Sequence, residues 1–365
     1  MSSRQPAAER VSLALRNLYK TYGYRQYKVS QFEEYDLYAR NRSFLADERI
    51  LTFSDTDGRL MALKPDVTLS IIRNTREDDR ARKVWYTESV YRAPRGADGF
   101  QEILQTGLEC VGPVDLYAEA EVVMLAAKSL AVIREEYLLD ISHIGILTGV
   151  MADAGADGEL SALILAAIGD KNLHTLRALC ESGGVPVRSA ELLMRLCRLS
   201  GPVQTALPAL LALPLPETAR AAAVELRDIC AILDVFGSYH VNIDLSVTND
   251  TDYYNGVIFR GFVDGVAAGV LSGGRYDNLV NRMGKTGGAI GFAVYLSELE
   301  RLLAEAPAYD VDTLLVYDDG ADPAAVAAAV KRLTDAGDSV RAQRRGEAAV
   351  SYRRAVGLDG REVTA

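Results

Sequence analysis

Residues 83–111 read KVWYTESVYRAPRGADGFQEILQTGLECV. β-branched and aromatic residues fill both ends and glycines interrupt the middle, so we predict two strands, Lys83–Arg92 and Gln101–Val111, joined by a loop. Alternate residues of a strand share one face, which places Gln105 and Glu109 together on the second strand. That face is either a polar binding surface or the exposed side of an antiparallel sheet.

A second polar pair lies upstream, where a predicted hairpin gives way to a helix. The hairpin joins Ile50–Phe53 to Arg59–Leu63 through an Asp-Gly turn. The helix is expected to begin after Pro65, because proline suits the first turn of a helix. Asp66 and Thr68, a carboxylate and a hydroxyl two residues apart, can together receive an ammonium group; alternatively, they cap the helix.

A third group of residues lies in the second half of the chain. Tyr253 and Tyr254 lead into a predicted strand, and Ser272–Asp277 (SGGRYD) is predicted to be a glycine turn that opens a helix. Such a turn lets the backbone approach a ligand closely, and the alternative is an ordinary loop. Arg275 within it either contacts a ligand or pairs with a nearby acid.

The rest of the chain divides by composition. A helix, Leu116–Glu136, and a strand, Ile141–Leu147, precede a long stretch rich in Ala, Leu, Glu and Arg. A last unit begins as strand, helix and strand, and ends in Tyr352–Ala365, which has no strong period. We therefore predict three parts: a core of residues 1–149 and 237–306, a helical insertion of residues 150–236, and a C-terminal α/β unit of residues 307–365.

Composition argues against several classes of function. The 365 residues hold 40 Lys plus Arg and 50 Asp plus Glu, a formal charge of −10 that removes the simplest argument for nucleic-acid binding. The four cysteines form no CxxC pair and the three histidines no HExxH, so we expect no metal and no cofactor. Without a signal peptide or a membrane-length apolar run, we expect a cytoplasmic protein with no membrane partner.

In this order, these segments resemble those of histidyl-tRNA synthetases, a class II family, from about Val11 to Leu303. Residues 50–68 are similar to the family's strand pair and amino-group-binding turn, residues 91–109 to class II motif 2, and residues 252–259 (DYYNGVIF) to a histidine-specific signature. The resemblance implies an α+β fold. A class II aminoacyl-tRNA synthetase-like antiparallel sheet would be flanked by helices, with a helical insertion and a short C-terminal α/β unit.

The positions that handle phosphate in that family differ in this chain. Aligned with class II motif 3, Glu298 replaces the arginine that clamps ATP, and a carboxylate there would repel a phosphate by about 4 kcal/mol at close range. Pro94 replaces the acid of motif 2, and Asn249 replaces a catalytic arginine. The residue types that contact the amino acid remain: Asp66, Thr68, Gln105, Glu109, Tyr253 and Tyr254.

This combination resembles the regulatory subunits of ATP phosphoribosyltransferase, the first enzyme of histidine biosynthesis. The resemblance implies a non-catalytic subunit that assembles with a short catalytic subunit, mediates feedback by histidine and dimerises through Tyr24–Tyr38. It also gives each residue a partner on histidine: Asp66, Thr68 and Gln105 the ammonium group, Glu109 and Tyr254 the imidazole, Tyr253 the pocket wall and Arg92 the carboxylate.

Two alternatives stay open. Arg92 and Arg95 could still hold ATP, which would make the chain a divergent amino-acid-activating enzyme. The basic residues near the C-terminus either bind nucleic acid or form a solvated face. These residues are Lys331, Arg332, Arg341, Arg344, Arg345, Arg353 and Arg354.

Overall fold

The computed structural model describes most of the chain. The described residues are 7–41, 44–45, 50–76, 80–93, 99–156, 158–237, 239–248, 253–299, 302, 309–347 and 350–364. Internal contacts divide the chain into two units, Ala7–Leu303 and Ala304–Ala365, with Met1–Pro6 grouped with the second. The further division of the first unit into a core and an insertion remains a prediction.

Helices and strands within these ranges follow the chain in a mixed order. The helices are α1 (Ala7–Thr21), α2 (Tyr35–Arg40), α3 (Thr68–Asn74), α4 (Leu116–Ile133), α5 (Ile144–Asp153), α6 (Gly158–Gly169), α7 (Leu173–Ser182), α8 (Val187–Cys197), α9 (Val203–Leu211), α10 (Glu217–Phe236), α11 (Asp277–Arg282) and α12 (Pro323–Asp335). The strands are β1 (Arg25–Gln26), β2 (Phe32–Glu34), β3 (Thr52–Ser54), β4 (Leu60–Leu63), β5 (Arg82–Arg92), β6 (Gln101–Gly112), β7 (Tyr137–His143), β8 (Ser200–Pro202), β9 (Val241–Asp244), β10 (Val257–Val263), β11 (Leu271–Arg275), β12 (Gly288–Tyr295), β13 (Val311–Tyr317), β14 (Val340–Arg344) and β15 (Tyr352–Val356). Among the described helices, none is both long and apolar enough to cross a bilayer.

A large sheet forms the centre of the first unit. Its strands run in the order β1-β5-β6-β12-β11-β10-β7-β9-β8, and every neighbouring pair is antiparallel except β1 with β5 and β7 with β9. One face packs on α4, which begins where the Asp115 carboxylate accepts the Ala118 N–H over 2.8 Å. The opposite face meets α3 and α11 in a separate cluster of buried side chains. This second face therefore carries the site described below.

The two strands predicted around residues 83–111 are confirmed with boundaries shifted by one residue. β5 and β6 pair along their whole length, from Arg82 with Val111 to Arg92 with Gln101. The predicted helix from Leu116 is also confirmed as α4 and ends at Ile133. These elements could be predicted from the sequence because their apolar residues keep a steady period over ten or more positions.

Two predictions about these elements were wrong, and a third, the helix after Pro65, is confirmed with a start at a later residue. The strand predicted at Ile141–Leu147 is β7, which ends at His143, where the imidazole Nδ1 accepts the Gly145 N–H and caps α5. The predicted helix after Pro65 begins at Thr68. The stretch 150–236 is helical except for β8, which pairs with β9 at the edge of the main sheet. A short apolar run does not by itself distinguish a buried strand from a buried helix.

Residues 272–275 are strand, not the predicted glycine turn. β11 runs through both glycines, and α11 begins only after Tyr276. The reason is close packing inside the sheet, because a Cβ on Gly273 would overlap the Gly291 carbonyl and the Phe292 side chain. Glycine in the interior of a strand commonly marks such an approach.

The second unit contains a small parallel sheet in the order β14-β13-β15. Tyr352–Val356 supplies its third strand, which the weak period of this segment did not predict. α12 packs on one face of the sheet against Leu315 and Val356. Five of the seven basic residues considered for nucleic-acid binding lie within ion-pair distance of an aspartate: Lys331, Arg344, Arg345, Arg353 and Arg354. This pairing favours the solvated face.

The packing around Gly273 gives a testable expectation. Gly273→Ala is expected to lower the free energy of unfolding by about 1–3 kcal/mol, because the added methyl group must displace neighbouring atoms. The matched control is Gly99→Ala, since a Cβ at Gly99 meets no atom within 4 Å and the change should stay within about 0.5 kcal/mol. Urea unfolding of both variants measures this, and equal effects would contradict the close packing of β11.

Candidate functional site

A cavity of about 140 Å³ opens on the face of the main sheet that carries α3 and α11. β6, β11 and β12 form its floor, and the start of α3 and the residues before β10 form its walls. All seven residues predicted from the sequence line this one cavity: Asp66, Thr68, Arg92, Gln105, Glu109, Tyr253 and Tyr254. The structure therefore brings together side chains from three separate parts of the chain.

Glu109 lies at the floor of the cavity with 3% of its surface exposed. Its neighbour across the strand pair is Gly291, where a Cβ would overlap the Glu109 carboxyl group. Thr68 Oγ1 donates to one carboxyl oxygen over 2.8 Å, and the Tyr276 hydroxyl donates to the other. Burial raises the pKa of Glu109 to about 8, although both hydrogen bonds act to lower it. The group is therefore largely protonated at neutral pH.

Asp66 stands at the start of α3 and has two functions in the fold. Its Oδ1 accepts the Leu69 N–H over 2.8 Å, so the predicted capping role is confirmed. Its Oδ2 lies 3.7 Å from Arg92 Nη2, and Arg92 Nε donates to the Pro65 carbonyl over 2.6 Å. Burial raises the pKa of Asp66, while Arg92 and backbone amides act to lower it. Because one oxygen caps the helix and the other faces the cavity, capping and ligand binding are compatible.

The burial of Gln105 shows that this face of β6 is not exposed to solvent. Its side chain is 3% exposed, so the predicted alternative of a solvated sheet face is wrong. Across the neighbouring strands it is opposite Glu88 and Tyr295. Gln105 and Glu109 do share one face, as the strand period predicted.

Aromatic rings form one wall of the cavity. The ring centroids of Tyr253 and Tyr254 lie 4.7 Å apart, and those of Tyr253 and Tyr276 lie 5.3 Å apart. Phe44 meets Tyr253 edge-on at 6.0 Å. Such offset and edge-to-face contacts are favourable and hold the rings in place. The cavity therefore has a polar floor and a rigid, apolar wall.

Tyr276 was not predicted as a site residue, although its segment was singled out. It follows the strand residues of SGGRYD directly, and its hydroxyl reaches Glu109. The feature that could have predicted Tyr276 is the strand register, in which Gly274 is opposite Gly291 and Gly291 is opposite Glu109. Two glycines beside a carboxylate leave space that a tyrosine can enter, but strand pairing cannot be read from one sequence.

A buried ion pair holds Tyr276 from behind. Arg275 donates to Glu119 on α4, and its Nε donates to Asp277 over 2.8 Å. Asp277 in turn accepts the Ala289 N–H over 2.9 Å. Of the two roles predicted for Arg275, pairing with an acid is thus confirmed.

Several positions from the motif comparison fall elsewhere. Pro94, Arg95, Asn249 and Asp252 lie outside the described residues. Glu298 is exposed on the short 3₁₀ helix Leu296–Leu299 and does not line the cavity.

Comparisons with known proteins are consistent with this geometry. A family model described as histidyl-tRNA synthetase matches residues 3–299. The ATP phosphoribosyltransferase regulatory subunit of Clostridium kluyveri is 32% identical over 289 residues, which cover 77% of this chain and 74% of that protein.

Solved structures show the same fold. An ATP phosphoribosyltransferase regulatory subunit/histidyl-tRNA synthetase from Bacillus halodurans superposes with a TM-score of 0.83 at 21% identity, over 98% of this chain and 96% of that chain. A chain of the ATP phosphoribosyl transferase (HisG:HisZ) complex from Thermotoga maritima gives a TM-score of 0.63 at 21% identity, over 79% of this chain and 97% of that chain. The predicted class II synthetase-like α+β fold is therefore confirmed.

Burial of Glu109 predicts how stability depends on pH. Folded Glu109 keeps its proton up to about pH 8, whereas the unfolded group loses it near 4.5. The folded state binds more protons across this window, so the stability that the neutral acid contributes is lost as pH rises through it. Glu109→Gln stays neutral, and wild type should therefore lose stability relative to this variant between pH 5 and 8, by up to about 1.4 kcal/mol per pH unit.

Urea unfolding at several pH values measures this difference. Glu102→Gln is the matched control, because Glu102 lies on the same strand but is exposed. Parallel pH profiles for wild type and Glu109→Gln would show that Glu109 is already ionised at neutral pH.

Proposed function

This chain belongs to the family of ATP phosphoribosyltransferase regulatory subunits, and on that premise we propose that its cavity binds free histidine. In this proposal the chain performs no catalysis itself. It assembles with a separate, short catalytic ATP phosphoribosyltransferase subunit, enables the first step of histidine biosynthesis, and reports the histidine level to that subunit.

The observation that carries this proposal is the buried carboxyl group of Glu109 at the floor of a polar cavity. An imidazole N–H is a donor that Glu109 can accept in its ionised form, which a cationic ligand favours, and Tyr254 lines the same cavity. A ligand without that donor would exclude water from Glu109 without adding a hydrogen bond to those from Thr68 and Tyr276, and an unmade hydrogen bond of this kind costs about 1–3 kcal/mol. Glu109 would thereby select histidine over apolar amino acids of similar size.

The other end of the ligand is assigned to the start of α3. Asp66 would accept the ammonium group, together with Thr68 and Gln105, which line the same cavity. Tyr253 would pack along the ligand. A cationic group placed beside Asp66 offsets the cost of burying that carboxylate, which favours a ligand with a free amino group.

Regulation requires more than binding. Histidine can shift the activity of a complex only if it binds two of its states with different affinity. A coupling of about 1–3 kcal/mol is typical and corresponds to roughly 5–150-fold in affinity. The walls of the proposed cavity come from elements far apart in the chain, so a change in the spacing of these elements would alter the contacts with the ligand.

The partner is proposed from a solved complex that contains a chain of similar fold. The Thermotoga maritima neighbour is a chain of an ATP phosphoribosyl transferase (HisG:HisZ) complex, which supports a hetero-oligomer for this chain. We also propose that the chain dimerises through Tyr24–Tyr38, which lies at one edge of the main sheet in β1 and continues through β2.

Calorimetric titration with L-histidine tests the pocket. Wild type is expected to bind, and Glu109→Gln is expected to bind about tenfold or more weakly, because it loses a hydrogen bond to a charged group. Glu102→Gln should bind as wild type does. Absence of heat with millimolar histidine, or equal affinities for all three proteins, would contradict the assignment of Glu109.

Mixing with a short catalytic subunit tests the regulatory role. Phosphoribosyl transfer is expected to rise when the chain is added and to fall again with histidine, and Glu109→Gln should weaken only the second effect. Activity that is unchanged at every ratio would refute the partnership.

Histidine-dependent pyrophosphate exchange by the chain alone is expected to be absent, and its presence would favour the amino-acid-activating enzyme.

A further inference from the structure

A second cavity adjoins the first on the same face of the main sheet. Its volume is about 180 Å³, and it lies over β10 and β11. The two cavities share Tyr254, Ser272 and Tyr295 as lining residues. Ser272 Oγ and the Tyr295 hydroxyl form a hydrogen bond of 2.7 Å at this boundary. A ligand in the first cavity therefore reaches the second past two hydroxyl groups.

Arg260 is the charged residue that lines the second cavity. Its guanidinium lies 5.4 Å from the centre of the Phe262 ring, and Gly269 leaves it room, since a Cβ there would overlap the guanidinium. Among the residues that the structure describes, no carboxylate lies within ion-pair distance of Arg260, although Asp140 is its neighbour across β7. Asp140 is thus the acid that faces the guanidinium, whose charge acts to lower the pKa of Asp140, but the two do not form an ion pair.

Register places Arg260 in line with the first cavity. It is directly opposite Ser272 on β11, and Ser272 is directly opposite Ala293 on β12. Residues opposite each other in an antiparallel pair point to the same face and lie about 4.5–5.5 Å apart at Cα. Ser272 and Ala293 both line the first cavity. One row of side chains therefore runs from the guanidinium to the proposed histidine pocket.

Among the described residues that line the first cavity, Arg92 is the cation, and it already has partners. Its guanidinium donates to the Pro65 carbonyl and faces Asp66. The same cavity holds the carboxyl groups of Asp66 and Glu109. An amino acid brings its own carboxylate, and burying that charge is costly unless a cation or hydrogen-bond donors receive it.

We propose that Arg260 binds the α-carboxylate of the amino acid held in the first cavity, and that one hydroxyl of the hydrogen-bonded Ser272–Tyr295 pair donates to the same group. This inference rests on the proposed binding of histidine and adds a specificity determinant to it: the ligand must be a free amino acid and not an amine. Arginine suits the role because its planar guanidinium can pair with both oxygens of a carboxylate.

Titration of the full chain with L-histidine and with histamine tests the proposal. Histamine keeps the imidazole and the amino group but lacks the carboxylate. Arg260→Gln is expected to weaken histidine binding by about tenfold or more, because a charge-assisted hydrogen bond is lost, while the histamine affinity changes less than about twofold. Arg260→Lys, which restores a cation, should recover part of the histidine affinity.

Two further variants make the result specific. Arg227→Gln, on an exposed face of α10, should leave both affinities unchanged. Arg92→Gln tests the rival carboxylate partner, and a loss confined to histidine in that variant with none in Arg260→Gln would overturn the proposal. Unchanged histidine binding in Arg260→Gln, equal weakening of both ligands, or no recovery with lysine would also overturn it. Failure of wild type to bind histidine would instead refute the proposed function itself.

Discussion

A carboxyl group buried in the centre of a wide sheet constrains everything around it. Glu109 has room only because Gly291 and Gly274 follow it across β12 and β11. It has partners only because α3 and the residue before α11 present Thr68 and Tyr276 at its two oxygens. An unpaired acid at this depth would cost several kcal/mol. The strand register at Gly291 and the positions of Thr68 and Tyr276 are therefore tied to this one side chain.

The same constraint explains which parts of the structure could be predicted from the sequence. β5, β6 and α4 follow from apolar periods, and Asp66, Gln105 and Glu109 follow from polar residues that break those periods. A break of this kind is local, so it can be recognised in a single sequence. The resemblance of the ordered motifs to a known family then predicted that the separate groups would meet, and in the structure they line one cavity.

What the sequence did not predict depends on pairing between distant strands. The sequence predicts a turn at the glycines of β11, because a local pattern cannot show that Gly273 packs against Phe292. Tyr276 was missed because its role depends on the Gly274–Gly291–Glu109 row. β15 was missed because a strand beside β13 in a small parallel sheet is stabilised by its neighbours more than by its own residues.

The electrostatics of the cavity also bear on what it can do. Asp66 and Glu109 both have raised pKa values because they are buried. Such acids can hold protons when the cavity is empty, and a cationic ligand would favour their ionised forms. A catalytic site for ATP needs the opposite, a set of cations directed at phosphate. Among the described residues that line the first cavity, the arginine, Arg92, is engaged with Asp66 and a backbone carbonyl, and Glu298 is exposed outside the cavity.

A pocket built in this way separates recognition from chemistry. Recognition of an amino acid requires only fixed partners for the side chain and its charged end. Thr68 and Tyr276 fix Glu109, and the Arg275–Glu119 pair fixes Tyr276 against α4. Since α4 also packs on α10 and α1, the contacts of the proposed ligand are tied to the packing of the first unit. Occupancy of the cavity would bias the arrangement of the helices on the other face if the ligand bound two arrangements with different affinity, which is the physical requirement for a subunit that senses a ligand without transforming it.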